Sequence, residues 1–245
     1  MRTDTGTTRG SGAVWRALQD ELARVQTERP HVVDVGGGSG GWAVPLAAEG
    51  CRVTVVEPNP NAVATLRRRA EETGVSSLIT VIADDTDAIG ERIRPGSADL
   101  VLAHGVLEIV DDPAAVIEAL AVAVTPGGAV SVLAANRYAA VLHRALAGRL
   151  SDARWLLTGP DGVLTDDREN LLRRFDSAGL TRMLASVGLD VELLQGDGVV
   201  CDFVVEAEPE LFTGEELAEF EAVAGAAPPL RDIATRLHAL ARRPR

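Results

Sequence analysis

The sequence predicts an α/β fold: a doubly wound, mostly parallel sheet with helices on both faces. Two observations carry this expectation. From His31 onward, short apolar runs alternate with segments of helical periodicity, at the spacing of successive βαβ units. Those runs are apolar nearly throughout rather than alternating, as strands buried on both faces should be. Composition agrees, since 245 residues with 46% hydrophobic and 24% charged can bury a substantial core and need not remain disordered.

The elements follow in chain order. The polar head, through Gly12, is expected to be an arm or lid, and the segment 13–27 places Val14, Leu18, Leu22 and Val25 on one helical stripe. Residues 1–30 are thus set apart from a main domain over 31–245. HVVDVG is a strand ending in glycines, the segment 41–49 suits a short helix, and CRVTVVE is a β-branched strand. A helix is expected over 59–74, with Asn59 as its cap and Pro60 in its first turn. LITVIAD, ADLVLAH and AVSVLAA read as further strands, with a helix over 113–124 between the last two. After Ala135 the regularity breaks, and residues 136–175 are expected to form a substrate cap of short helical turns. A helix is predicted over 175–187 and strands over 189–194 and 198–206. The segment 235–242 fits a strand or a helix equally well.

All 24 basic residues are arginine, against 36 acids, for a net charge of −12. With no lysine, a Schiff-base lysine and a Walker-type phosphate loop are excluded. The acidity is local: residues 183–230 hold 11 acids and no arginine, and setting them aside leaves 25 acids against 24 arginines. Arg137, Arg144, Arg149 and Arg154 lie close together with a single acid, Asp152, so an anionic substrate is allowed on one face. Two cysteines, Cys51 and Cys201, and four scattered histidines point to no disulfide framework and no metal site. No apolar run approaches the roughly 20 residues that span a bilayer, and the head lacks a secretory signal. A soluble, cytoplasmic protein with no membrane partner is expected.

The sharpest motif is DVGGGSGG at 34–41, directly after the first predicted strand. Glycines there permit positive φ and let a ligand approach the backbone. Glu57 ends the next strand on the order of 20 residues later, where an acid accepts hydrogen bonds from ribose hydroxyls. Gly36, Gly38 and Gly41 also satisfy the spacing of a dinucleotide fingerprint. Asp34 argues the other way, because an acid at that turn suits a cationic ammonium or sulfonium better than a pyrophosphate.

In order along the chain, VVDVGGGSG, VEPN, IADDTDA, ADLVLAHGVLEIVDDP and LAVAVTPGGAVSVLA resemble the class I S-adenosylmethionine-dependent methyltransferases over residues 31–135. The resemblance implies a Rossmann-like sheet of seven strands with an antiparallel C-terminal strand. It implies that S-adenosylmethionine is the cofactor, with Asp34, Gly36, Gly37 and Gly38 at its methionine portion. It also implies Glu57 at its ribose, and Asp85, Thr86 and Asp87 beside adenine.

GTTRG at 6–10, LAHGVLEIVDDP, Asn136 with AGRL at 147–150, and GDGVVCDFV extend this resemblance to the tRNA carboxymethoxyuridine carboxyl methyltransferases. That subgroup implies a tRNA partner and adds Arg9 and His104 as cofactor contacts. Two departures fall on the acceptor side. DGVLTDDRENLLRRFD carries five acids against three arginines where the subgroup has a basic, proline-containing stretch. Val199 and Val200 stand where it has an arginine.

A carboxylate acceptor is ionised at neutral pH, so methyl transfer to it requires positioning and no general base. Arg173 and Arg174 are candidates to hold such a carboxylate, Arg137, Arg144 and Arg149 to hold phosphates, and Asn136 and Tyr138 to line the same edge. The competing readings are a methyltransferase of an anionic small metabolite, a non-catalytic scaffold binding a protein partner through the acidic segment, and an NAD-dependent enzyme.

Overall fold

The computed structural model describes residues 12–86, 89–159, 162–163, 173–201 and 212–245. They contain a seven-stranded sheet in the order β3-β2-β1-β4-β5-β7-β6. The strands are β1 (His31–Val35), β2 (Arg52–Val56), β3 (Ile79–Ile82), β4 (Ala98–His104), β5 (Val124–Ala135), β6 (Asp190–Asp197) and β7 (Arg236–Arg242). β7 runs antiparallel to both β5 and β6, and the pairings from β3 through β5 are parallel.

The helices are set by local chemistry that the sequence carries openly. α1 (Gly12–Arg24) buries Val14 and Leu18 against the sheet. α2 (Ala43–Ala48) follows the glycine turn. α3 (Pro60–Thr73) starts with Asn59 accepting from Asn61 N and Ala62 N, and stops at Gly74 with φ 77°. α4 (Ile89–Arg92) is a single turn before β4. α5 (Pro113–Ala123) repeats the Asx-Pro start, with Asp112 as the cap. α6 (Arg137–Leu146) and α7 (Leu150–Thr158) follow β5, and α8 (Ser177–Ser186) is capped by Asp176. α9 (Gly214–Ala226) opens with a capping box between Thr213 and Glu216. Among the described residues no helix is long and apolar enough to cross a membrane.

Two apolar clusters sandwich the sheet. One joins Val33, Val35, Val101 and Ala103 to α5 and α8; the other joins Val32, Leu100 and Leu102 to α1, α2 and α3. This is the covering expected for parallel strands, and it leaves ligand access at the strands' C-terminal ends. β1 and β4 are neighbours there, with Val35 opposite Ala103, and chain order reverses between them.

The C-terminal segment resolves as a strand. His238 and Leu240 face one side of the sheet, while Leu237, Ala239 and Ala241 face the other. One expectation is corrected: 198–201 is a turn, not the start of a strand. The buried Glu221 carboxylate of α9 accepts from Val199 N, Val200 N and Cys201 N at 2.6–2.8 Å, so those amides are unavailable to a ladder. Residues 202–206 of that expected strand lie outside the described residues.

Candidate active site

The glycine turn follows β1 and packs directly on the loop after β4. Gly36 has φ +63°, and a Cβ there would lie 2.6 Å from Val106 Cγ2. A Cβ on Gly37 would lie 2.7 Å from Asp34 Oδ2. The bare backbone is thus required twice, once by the neighbouring loop and once by the acid beneath it.

Asp34 is buried, and Oδ2 has no hydrogen-bond partner among the described residues. Burial, and then repulsion from Glu57, push its carboxyl up to about 7, against a smaller downward pull from the Ala43 N–H. A buried acid in that state favours a cationic neighbour, whose arrival would ionise it.

Glu57 stands at the end of β2, where its Oε2 accepts from Gly38 N at 2.9 Å and its Oε1 from Asn59 N at 2.8 Å. One carboxylate therefore ties the glycine turn to the start of α3. Each oxygen keeps a further lone pair, so a pair of ligand hydroxyls can still be received.

At the end of β3, Asp85 Oδ1 accepts from Thr86 N at 2.6 Å and from Thr86 Oγ1 at 3.1 Å. Asp84 pairs with Arg92 at 2.7 Å, and that hydrogen bond holds its carboxyl below the usual range. Asp87 and Arg9 lie outside the described residues.

His104 closes β4. Trp42 meets its ring edge-on with centroids 4.8 Å apart, and Trp15 of α1 stacks on Trp42 at 6.2 Å. His104 Nε2 is 2.9 Å from Ser131 Oγ, while Nδ1 is buried with no partner among the described residues. Burial holds its pKa well below the ordinary value.

The structure therefore brings Asp34, Gly36, Gly37, Gly38, Glu57 and His104 together at the C-terminal ends of β1, β2 and β4. Asn136, Arg137, Tyr138, Arg144 and Arg149 lie past the end of β5, while Arg173 reaches the loop after β4. Asn136 caps α6 by accepting from Tyr138 N, and its Nδ2 donates to the carbonyls of Asp232 and Ala234 at 2.9 and 2.7 Å. Arg137 donates to the carbonyls of Leu156, Leu157 and Gly159. Arg173 donates to the carbonyls of Val110 and Asp111. Arg149 pairs with Asp152 at 2.7 Å. Arg144 and Arg174 are buried, and Tyr138 is exposed.

Sequence reasoning passed over two groups. Trp42 follows the glycines at once, and its place over His104 has no periodic signature. Glu108 is the one acid of the apolar stretch VLEIV, and that isolation is its signal. It is buried, with Oε1 accepting from Ala135 N at 2.6 Å and Oε2 without a partner among the described residues. Burial raises its pKa against the opposing charges of Arg236 and Arg174. Among the described residues no group of three His, Cys, Asp or Glu could hold a metal ion.

A reversed-order crevice, a close-packed glycine turn and an acid at the second strand form a site suited to a nucleoside-bearing cofactor. The chain belongs to the methyltransferase domain family, whose model matches residues 11–194. It is 26% identical over 244 residues to the tRNA 5-carboxymethoxyuridine methyltransferase of Escherichia coli K12, covering 98% of this chain and 91% of that protein. It is 31% identical over 179 residues to a ubiquinone biosynthesis O-methyltransferase of Xanthomonas euvesicatoria, covering 73% of this chain and 70% of that protein. Among solved structures, the fold is similar to geranyl diphosphate C-methyltransferase of Streptomyces coelicolor, bound to Mg2+, geranyl diphosphate and S-adenosyl-L-homocysteine. That match has a TM-score of 0.63 at 16% identity and covers 95% of this chain and 79% of that one.

The cofactor is S-adenosylmethionine, and the residues present fit it. Asp34 Oδ2, buried without a partner among the described residues, suits the cationic end, the side-chain-free turn admits close approach of the ligand, and Glu57 retains acceptors for a diol. When bound, this cofactor supplies a methyl group on a positively charged sulfur.

Proposed function

We propose that the chain methylates a carboxylate, and that the acceptor is a carboxymethoxyuridine-type base at the wobble position of tRNA. The observation that supports this most is the reach of the resemblance. The Escherichia coli tRNA enzyme aligns with 98% of this chain, including the segments after β5 where an acceptor would lie. The ubiquinone relative aligns with 73%.

In this reading Asp34, Gly36, Gly37, Gly38, Glu57, Thr86 and His104 hold the cofactor, with Arg9, Asp85 and Asp87 beside them. Residues 136–175 act as a cap on the acceptor, and the head through residue 30 as a lid. Arg173 is the strongest carboxylate contact. Its described partners are carbonyl oxygens, which fix the side chain without neutralising it. Arg137 and Asn136 serve the cap by tying α6 to α7 and to the segment before β7. Arg149 and Tyr138 complete that face, and the buried Arg144 and Arg174 support it from within the fold.

The chain's own work is alignment and exclusion of water. A carboxylate with its ordinary pKa near 4 is already ionised at neutral pH, so no proton has to be removed before it attacks. Trp42 and Trp15 shield the cofactor edge, and positioning alone supplies several kcal/mol. Such an enzyme would work in the cytoplasm, where tRNA is modified.

A small-molecule hydroxyl as acceptor is the second reading, favoured by the identity to the ubiquinone relative. Mass spectrometry of tRNA nucleosides from wild-type and deletion cells separates the two. Loss of a carboxyl-methylated wobble nucleoside is expected on deletion. An unchanged nucleoside profile removes the tRNA acceptor.

A further inference from the structure

His104, Ser131, His238 and Gln195 form a continuous hydrogen-bonded row across β4, β5, β7 and β6. His104 Nε2 is 2.9 Å from Ser131 Oγ, Ser131 Oγ is 2.9 Å from His238 Nε2, and His238 Nδ1 is 2.9 Å from Gln195 Nε2. Strand register places them on one face: His238 lies opposite both Leu133 and Gln195, and Leu133 lies opposite His104. That face carries Leu102, Leu133 and Leu240 and is covered by α1 and α2. Ser131 and His238 are fully buried at 0% exposure. Polar atoms in such a setting destabilise the fold unless each finds a partner. The row satisfies its members in turn and ends on His104 Nδ1, which is buried with no partner among the described residues.

The row also has a direction. A glutamine Nε2 can only donate, so His238 Nδ1 accepts, and the neutral ring carries its proton on Nε2. That proton goes to Ser131 Oγ, whose own hydrogen then points at His104 Nε2. His104 is left with its proton on Nδ1. Burial keeps both rings neutral near pH 7, with His238 pushed down to about 4 and His104 well below its ordinary value.

We propose that Gln195, acting through His238 and Ser131, locks His104 in the Nδ1–H tautomer, making it a neutral hydrogen-bond donor to a carboxylate oxygen in the active site. His104 is then not a general base, because the lone pair a base would need is replaced by a proton. This deepens the methyltransferase reading and rests on it. The carboxylate is that of the cofactor's methionine portion or that of the acceptor. Gln195, His238 and Ser131 are positioning residues that work through His104. A donor rather than a base suits an acceptor that arrives already ionised.

The test is nitrogen NMR on the full chain with 15N-labelled histidine and no ligand, which reads each ring's tautomer directly. His104 is expected to show a protonated Nδ1 and an unprotonated Nε2. Ser131→Ala cuts the row at nearly constant volume. It should release His104 into mixed tautomers and weaken the carboxylate contact about threefold to tenfold. Weaker binding of S-adenosylhomocysteine in calorimetry assigns the contact to the cofactor; a raised acceptor KM alone assigns it to the acceptor. Gln195→Leu, at the rim of the groove lined by α1, β6 and α9, should release the same tautomer without touching the core. A wild-type His104 protonated on Nε2 overturns the proposal. So does an unchanged tautomer in both variants. Since the spectrum requires no cofactor, a wild-type chain that binds no S-adenosylmethionine would instead overturn the reading underneath.

Discussion

Around β1, β2 and β4 two buried polar atoms, one on an acid and one on a histidine, have no partner among the described residues, whereas around β5, β7 and β6 most polar side chains are tied into the fold. On the first side Asp34 Oδ2 and His104 Nδ1 have no described partner, and Glu57 spends only part of its capacity on Gly38 and Asn59. On the second side Arg137 holds three carbonyls, Asn136 links α6 to the segment before β7, and Asp197 pairs with Arg236 at 2.6 Å. Glu108, whose Oε2 has no partner among the described residues, is an exception there. Buried atoms without partners cost stability unless a ligand completes them, which is the part the proposed cofactor would play on the first side. The second side uses its arginines to hold helices together, and their number alone therefore says little about phosphate binding.

The difference can be broken at its strongest point with Glu57→Ala. Removing this carboxylate frees the glycine turn from α3 and deletes the diol acceptors. Calorimetry should show S-adenosylmethionine affinity falling about 100-fold or more. A loss of less than threefold would place the ligand elsewhere.

Arg137→Ala probes the opposite side. Three carbonyls lose their donor, and denaturant melts should show a loss of about 2–3 kcal/mol, with cofactor affinity within twofold of wild type. Equal damage to cofactor binding would erase the division between the two sides.

Asp34 sharpens the contrast through pH. Its folded pKa of about 7 lies above the unfolded value of 3.8, so the stability it contributes is complete below about pH 4 and is lost as pH rises through 7. Asp34→Asn should therefore be more stable than wild type at pH 8, on the order of 2 kcal/mol, with the gap closing toward pH 4. A gap that does not vary with pH would mean that the carboxyl titrates normally. Cofactor affinity of the variant should fall at the same time, since the anionic partner for a cation is gone.

The smallest effect is expected at Arg173. Arg173→Ala should lower turnover about tenfold and leave cofactor affinity unchanged. Parallel loss of both would make this side chain a staple like Arg137.

The same contrast explains what could be read from the chain. Asn59-Pro60 marks a helix start by chemistry contained within a few residues and behaves as expected, and Asp112-Pro113 starts α5 by the same chemistry. The glycine turn and Glu57 were legible for a related reason, because backbone approach and strand ends have fixed spacing. What failed depended on distant partners. The turn at 198–201 is made by Glu221, about 20 residues further on, which no local pattern reveals. The segment 236–242 was ambiguous because RLHALAR satisfies both periods until β5 and β6 take its hydrogen bonds. Thr213 and Glu216, by contrast, carried a visible capping box for a helix that was not assigned. An arginine's destination is the hardest to read, since carbonyl, carboxylate and ligand look alike from the sequence.

The central claim is transfer of a methyl group to a carboxylate. The direct measurement incubates the protein with methyl-labelled S-adenosylmethionine and tRNA bearing wobble carboxymethoxyuridine, digests the product to nucleosides and treats them with mild base. A methyl ester is cleaved, so the account predicts label on the wobble nucleoside that is released as methanol. Label that resists base, or none on that nucleoside, would contradict it.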